Sequence, residues 1–510
     1  MTTLGIIDLG SNSARLILYE TLPNGSYRPT FEMKQNIRLA EAMVDGRISD
    51  EGVERAITCS TLFYRAGEMH GVDDWIAVAT AAVRQSSNQS DILKRLHEES
   101  GLAFRVIDGK TEGRYGYLGV VNTLPIDDAL LFDIGGASSE LMLMRDRELV
   151  DVCSIPYGAL NLRVHFSHLP ELEMGRAAQR FMLEQLACVP FLSGAKGLPL
   201  VGLGGTARAV AKLHLARRRG SLERIHGYPL EAHAIQDLFA ELSALPIGRR
   251  KKVKGLSESR ADIVITGLAT ITALLDTLQS ERMIVSRSGL REGIFFEHYL
   301  RFSHKTRLDN VLEHSVENFQ KTFQVNRSVA QSVTAATMIL FDRLVPSKLV
   351  SETDRTLLWV TAQIESCGCY VNTEKWAKHS AYLAQTSHLF GLDYDSLDDV
   401  VALLTGRDSS LRHPEKHVME KHASEQNGAS KRSDTTDHRL HRLSVLLRLA
   451  KLLNLQLGIP AQELYAEFQH EEFCVGKMPH IAHRVATSAD AGLGDEFAKA
   501  FGIPLCYKDK

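Results

Sequence analysis

The sequence predicts a duplicated mixed α/β unit with a cleft between its two copies, followed by an all-helical region. Three observations carry this prediction. A turn of the form Asp, apolar, Gly, small, any, Ser ends an apolar run at Asp8–Ser13 and again at Asp133–Ser138. Each turn starts the same order of elements, a three-strand meander followed by helix, strand and helix. Beyond Arg307 the strand pattern fades, and apolar residues recur at helical spacing.

In the first copy, Leu4–Asp8, Ala14–Tyr19 and Tyr27–Leu39 read as the meander. Ser49 caps a helix with Asp50 and Glu51 in its first turn and Val53, Ala56, Ile57 and Phe63 on its apolar face. Trp75–Ala79 is a short buried strand, followed by a helical segment with Val83 and Arg84. A helix with Ile92, Leu93 and Leu96 stops at Gly101, Ala103–Ile107 returns as a strand, and Lys110–Val120 turns helical. After Leu124-Pro125 the order restarts. Ala129–Asp133, Ser139–Met144 and Leu149–Ile155 form the second meander, then come a helix near Met174–Cys188, the strand Leu198–Leu203 and a helix from Thr206. Asp262–Asp276 and Leu290–Tyr299 read as helices flanking a strand at Met283–Ser286.

At 510 residues the chain exceeds what one hydrophobic core serves. The expected division is 1–124, 125–303, 304–457 and 458–510, the last a small domain or appendage with a strand pair near Leu464–Val475. Helices are expected at Val329–Leu344, Arg355–Ile364, Trp376–Phe390 and Leu440–Leu457, and a mobile polar loop between His413 and His438. A net charge of −3 gives no overall pull toward polyanions, so specific nucleic-acid binding is not expected. Asp8 interrupts the first apolar run, no basic segment precedes it, and no apolar stretch reaches spanning length. With seven scattered cysteines read as reduced thiols, these features lead us to expect a cytoplasmic protein without an integral membrane span.

Asp followed by Gly and small polar residues offers an anion two things. Successive backbone N–H groups make a concave donor site for phosphate oxygens, and the carboxylate can hold Mg²⁺ directly or through water. Gly10, Ser11, Asn12 and Ser13 in the first turn and Gly135, Gly136, Ala137 and Ser138 in the second are the phosphate-binding candidates, with Asp8 and Asp133 the metal candidates. A third turn, Gly204-Gly205-Thr206, adds a helix N-terminus that favours an anion. No GxxxxGK[ST] string occurs, which excludes a P-loop protein.

In order and spacing, DLGSNSAR from Asp8, FDIGGASSEL from Phe132, GLGGTARA from Gly202 and SGLREGIFFE from Ser288 resemble the exopolyphosphatase and guanosine pentaphosphate phosphatase (Ppx/GppA) family. Supporting stretches are NIRLAEAM from Asn36, ATAAVRQS from Ala79, SIPYGALNL from Ser154 and LSESRADIV from Leu256. The resemblance covers about the first 300 residues and implies duplicated actin-like domains of the ribonuclease H-like superfold. It makes Glu112, in IDGKTEGRYGYLGV, the catalytic glutamate that orients and deprotonates the attacking water; by itself Glu112 is a helix-start carboxylate. It places Arg84 in the cleft and makes Glu140 a further metal candidate, against a reading of Glu140 as a strand-edge carboxylate facing solvent.

The implied activity is Mg²⁺-dependent release of terminal orthophosphate from inorganic polyphosphate, with a monovalent cation such as K⁺ as a possible second ion. Hydrolysis of guanosine pentaphosphate is the alternative within the same chemistry, and a non-catalytic nucleotide or polyphosphate sensor the alternative from another class. Two departures stand out. Thr111 replaces the family's second acid, and Arg287-Ser288 replaces Asp-Gly before the LREG motif, adding either a cation near the cleft or a surface salt bridge.

The helical half resembles the HD metal phosphohydrolases at AQIESCGCY from Ala362, KHSAYLAQTS from Lys378 and LSVLLRLAKLLN from Leu443. The signature dipeptide is Ile364-Glu365 and the late aspartate position is Lys451, so no working metal centre is implied, and His379 reads as packed or hydrogen-bonded. The resemblance implies that this half shapes a binding channel and a homodimer interface. His413, His417, His422, His438 and His441 read as a solvated face. The basic runs Arg217–Arg219 and Arg249–Lys254 read as solvated surface, or as tracks for a long polyanion.

Overall fold

The computed structural model describes residues 1–218, 224–405, 430–469, 471–477 and 492–507. The chain divides into two compact units, Met1–Val311 and Leu312–Lys510.

In the first unit, β1 (Thr2–Leu9), β2 (Ser13–Thr21) and β3 (Tyr27–Asn36) form the first meander. A two-residue hairpin, β4 (Met43–Val44) with β5 (Arg47–Ile48), leads into α1 (Asp50–Met69), whose cap is Ser49 accepting from the Gly52 N–H at 3.3 Å. β6 (Asp74–Ala79) lies parallel to β1; α2 (Ala81–Arg84) and α3 (Gln89–Ser100) connect to β7 (Phe104–Val106), and α4 (Gly109–Val121) follows. The sheet order is β3-β2-β1-β6-β7. One face packs under α1 and α3 through Leu16, Leu18, Ile57, Phe63 and Leu96.

The second copy repeats this. β8 (Ala129–Ile134), β9 (Ser139–Arg145) and β10 (Glu148–Ile155) are the meander; α5 (Ala159–His165) and α6 (Glu171–Ala187) precede β11 (Leu200–Leu203), which lies parallel to β8. Next come α7 (Gly204–Arg217), β12 (Tyr228–Glu231), α8 (Ala232–Ser243), the short α9 (Ile247–Arg250), α10 (Val264–Leu278), β13 (Arg282–Val285) and α11 (Leu290–Leu300). The order β10-β9-β8-β11-β13-β12 is that of the first sheet with one edge strand added. The duplicated α/β architecture expected from the sequence is thus the architecture of the unit. The β4–β5 hairpin, α5, α8, α9 and β12 are additions to the predicted element order.

The closing helices are exchanged between the copies. On α4, a Cβ at Gly113 would lie 2.6 Å from Val152 and 3.3 Å from Met142, so this helix packs on the second sheet. On α11, Phe295 stacks on Tyr19 at 4.0 Å and meets Tyr27 at 4.8 Å, side chains of the first sheet. The two helices touch backbone to backbone, because a Cβ at Gly293 would sit 1.9 Å from the Tyr115 carbonyl oxygen. Gly293→Val is therefore expected to lower stability by about 1–3 kcal/mol through forced separation of α4 and α11. Gly248→Ala, where nothing lies within 4 Å, is expected to be silent. Chemical denaturation of both variants checks this, and an unshifted Gly293→Val midpoint would refute the close contact.

The second unit holds α12 (Val311–Thr322), α13 (Arg327–Leu344), α14 (Arg355–Ile364), α15 (Trp376–Thr386), α16 (Tyr394–Thr405) and α17 (Ser430–Lys451), the last running into a π turn at Leu452–Gln456. A three-stranded sheet follows, β14 (Leu464–Gln469), β15 (Glu472–Lys477) and β16 (Leu505–Tyr507), with α18 (Leu493–Phe501) between the last two strands. The strand pair expected near Leu464–Val475 is present, and β16 adds a third strand parallel to β15. Part of the loop expected at His413–His438 is helical instead. α17 starts at Ser430, because a helix nucleated on the apolar face from Leu440 onward propagates into polar sequence at little cost. His413, His417 and His422 lie outside the described residues. His438 is exposed, and His379 and His441 are partly buried. No helix among the described residues is long and apolar enough to cross a membrane.

Candidate active site

The two glycine turns meet face to face. A Cβ at Gly136 would lie 3.1 Å from the Ser11 Cβ and 3.4 Å from the Asn12 backbone nitrogen. The turns use their carbonyls to hold themselves in place. Ser11 O and Asn12 O accept from Ala40 and from Ile37 and Arg38, Gly135 O from Ala159, and Gly136 O from Leu160 and Asn161. Gly135 N–H donates to Ser138 O at 2.9 Å, closing the second turn. In the third turn, position 204 admits only glycine, and position 205 lies close against the Arg260 guanidinium. Gly204 has φ +73°, and a Cβ there would lie 2.0 Å from Asp133 Oδ1; at Gly205 it would lie 1.8 Å from Arg260 Nη2.

These turns line a cavity of about 130 Å³ together with Asp8, Glu112, Asp133 and Glu140. Of the residues expected from sequence, Gly10, Ser11, Asn12, Ser13, Gly135, Gly136, Ser138, Gly204, Gly205 and Thr206 also line it. Ala137 is buried behind its turn and does not line it. Nor does Arg84, which stands behind Glu112: its Nη1 donates to Glu112 Oε2 at 3.0 Å and to the Ile107 carbonyl at 2.8 Å. Glu140 is 1% exposed and accepts from Ser154 Oγ at 2.8 Å, which overturns the solvent-facing reading.

Strand register explains the placement of the charges. Asp8 on β1 is paired with Arg15 on β2, and Asp133 on β8 is paired with Glu140 on β9. The duplicated turn thus places a cation at one position in the first copy and an acid at the equivalent position in the second. Glu112 sits in the first turn of α4, whose cap Asp108 accepts from the Thr111 N–H at 2.7 Å.

Five further charged residues line the cavity: Arg15, Arg208, Arg260, Arg291 and Glu292. Each lies inside a motif already noted, in DLGSNSAR, GLGGTARA, LSESRADIV and SGLREGIFFE. The available signal was an arginine in each of these four motifs, whereas FDIGGASSEL carries Glu140 at the position equivalent to Arg15. Arg291 Nη1 donates to Glu32 at 2.9 Å, and Gly289 N–H to Glu292 Oε2 at 2.8 Å. Arg38 crosses from the first copy to Asp262 (3.2 Å) and to the Ser259 carbonyl (3.2 Å), holding the segment that carries Arg260. Arg287 is more than half exposed and 3.9 Å from Glu32, outside the cavity lining, so its salt-bridge reading holds.

Both signs of charge are strained by burial here. Burial pushes the Asp8 carboxyl up to about 6 against the pull of Arg291 and Arg15. It pushes Glu140 up to about 7 despite hydrogen bonds from Ser138 and Ser154. Glu112 is raised well above the usual carboxylate range by burial and by Glu140, with Arg84 opposing. Burial and the neighbouring Arg15 and Arg291 bring Arg208 down to about 9, and burial followed by Arg15, Arg260, Arg208 and Lys212 brings nearby Lys34 down to about 8.

The basic run at 249–254 is not a uniform surface patch. Arg250 is 3% exposed, bonded to Glu171 at 2.5 Å and to the carbonyls of Leu245 and Ala261, and Lys251 pairs with Glu258 at 3.1 Å. Arg217 pairs with Glu241 at 2.8 Å, and Arg219 lies outside the described residues.

A cleft between duplicated α/β halves, with facing glycine turns, buried carboxylates and converging arginines, defines a protein built to handle phosphoryl groups. A model of the Ppx/GppA phosphatase family matches residues 22–302, and one of Ppx/GppA phosphatase domain III matches 311–471. The chain belongs to the Ppx/GppA phosphatase family. It is 26% identical over 417 residues to a guanosine-5'-triphosphate,3'-diphosphate pyrophosphatase of Pseudoalteromonas translucida, spanning 80% of this chain and 81% of that one. Among solved structures it is similar to an exopolyphosphatase from Cytophaga hutchinsonii (TM-score 0.55, 25% identity, 60% of this chain and 100% of that one). It is also similar to the Aquifex aeolicus family member (TM-score 0.52, 27% identity, 60% and 99%).

Proposed function

We propose that this chain is a Mg²⁺-dependent exopolyphosphatase that releases terminal orthophosphate from inorganic polyphosphate. The observation that carries the reading is the arginine set, Arg15, Arg208, Arg260 and Arg291, around one small cavity that also holds Glu112. Such a set suits a ligand with repeated negative charge. The turn N–H groups donate to the oxygens of the terminal phosphoryl group, and the arginines take the charge of the phosphates behind it. Glu112, held by Arg84, orients the attacking water and accepts its proton; burial and Glu140 raise its pKa, which makes it a stronger base than an exposed carboxylate.

Asp8, Asp133 and Glu140 supply hard oxygen donors around one cavity, and burial raises the pKa of each, a cost that a cation bound among them would offset, so the donor set fits Mg²⁺. Bound there, Mg²⁺ would neutralise charge on the phosphoryl oxygens. The relative in Pseudoalteromonas translucida favours a second reading, hydrolysis of guanosine pentaphosphate to the tetraphosphate by the same residues.

Phosphate release measured side by side on polyphosphate and guanosine pentaphosphate separates the two readings. The expected result is faster turnover of polyphosphate and loss of both activities when Mg²⁺ is chelated. Tight polyphosphate binding without release of phosphate would overturn the enzyme reading in favour of a sensor.

A further inference from the structure

The second unit ends in a sheet whose two faces differ in chemistry. Strand alternation puts Leu464, Ala466, Phe473 and Val475 on one face, in the helical core, where Phe473 stacks on Phe497 at 5.6 Å. The other face carries Glu472 and Cys474 of β15 and Cys506 of β16. Cys474 and Cys506 are direct partners in the parallel register, so their side chains leave the sheet side by side, and Glu472 is one pleat before Cys474. One ligand atom from each of the three lies within 4.8 Å of the other two. Cys474 is fully buried, and Glu472 and Cys506 are partly buried. All three lie beyond the residues matched by the domain III model, and none takes part in the phosphate site.

We propose that Cys474, Cys506 and Glu472 bind one thiophilic divalent cation of the Zn²⁺ class. Two sulfurs and a carboxylate oxygen suit a borderline-soft ion and not Mg²⁺, which takes oxygen ligands only. Zn–S bonds of about 2.3 Å and Zn–O bonds of about 2.0–2.2 Å require the three ligand atoms to draw together by roughly 1 Å, within side-chain rotation on a fixed sheet. A water completes four-coordination. Glu467, opposite Cys474 in the antiparallel register, is engaged by Gln469 Nε2 at 2.5 Å. Binding balances as one M²⁺ taken up and two thiol protons released to solvent, giving two metal–thiolate bonds, so affinity rises with pH. The cation ties β15 to β16 and thereby fixes the C-terminal strand to the unit.

The test is a Co²⁺ titration of the full-length protein, purified reduced and freed of metal. The expected result is a thiolate-to-cobalt charge-transfer band that saturates at one Co²⁺ per chain and is bleached by an equivalent of Zn²⁺. The band should be lost in Cys474→Ser and Cys506→Ser, weakened in Glu472→Gln and unchanged in Cys188→Ser, whose thiol is exposed in the first unit. Because Cys474→Ser alters a buried site and can fail to fold, partly buried Cys506 is decisive, with far-UV circular dichroism as the check on folding. No band at one equivalent, a band that survives in folded Cys506→Ser, or a Cys474–Cys506 disulfide under reducing isolation would overturn the proposal.

Discussion

Glu112→Gln is expected to lower kcat on the preferred substrate by roughly 10²–10⁴-fold while leaving KM within a few-fold of the parent value. Gln has the same shape and keeps an oxygen for Arg84 Nη1 to donate to, 3.0 Å away in the parent, so the first turn of α4 and its Asp108 cap stay intact. What is lost is the proton acceptor. Of the other carboxylates that line the cavity, Glu140 is already held by Ser154, Glu292 by the Gly289 N–H, Asp133 is pressed against the Gly204 turn and Asp8 faces Arg291 and Arg15, so none can take over without breaking its own contacts. Binding is expected to survive because Arg15, Arg208, Arg260 and Arg291 come from four other segments of the chain. Steady-state phosphate release and a separate binding measurement make the check. A kcat within threefold of the parent, or a KM that rises in step with the fall in kcat, would show that Glu112 is not the base.

How much of this was legible in the sequence depended on whether the signal was local. The paired turns were legible because Asp-apolar-Gly-small is a chain-local pattern that recurs, and Ser49 and Gly101 marked helix ends through their own backbone requirements. β12 was not legible: Tyr228–Glu231 is four residues long with Pro229 inside it, a composition tolerated only on the edge strand that it forms. The arginines were in view within the motifs, but their convergence is a product of tertiary assembly. Arg15 reaches the cavity through β2 register, Arg208 from α7 and Arg291 from the exchanged α11. Arg250 shows the opposite error. Inside the run Arg249-Arg250-Lys251-Lys252 it looks like surface, yet Glu171 and two carbonyls satisfy it in the interior. Charge in a sequence gives the cost of burial but not whether partners will meet it. The same holds for Arg84, which the family resemblance placed in the cleft and the fold places behind Glu112.

In the second unit, the two positions that depart from the HD pattern meet each other. Glu365 Oε2 and Lys451 Nζ are 3.1 Å apart, with the Glu365 side chain 11% exposed, and the Lys451 ammonium lies over the Trp376 ring at 4.7 Å. Lys451→Met keeps the aliphatic stem and removes the charge, leaving a buried carboxylate alone, and is expected to destabilise the unit by about 3–5 kcal/mol at pH 8. The pH dependence follows from Glu365, whose pKa burial already raises while Lys451 opposes the rise. A carboxyl with a raised folded pKa contributes fully to stability below its unfolded value of 4.5, and the contribution is lost as pH rises through the folded value. Removing Lys451 raises that folded value further, so the deficit of the variant should be largest at pH 8 and shrink toward pH 5 as Glu365 takes up a proton. The double variant Glu365→Gln/Lys451→Met, which has no charge to bury, should recover most of the loss. Denaturant unfolding followed by tryptophan emission suits the test, since Trp359 and Trp376, two of the three tryptophans, lie in this unit. An equal deficit at both pH values would mean that Lys451 acts by packing against Trp376 and not by neutralising Glu365.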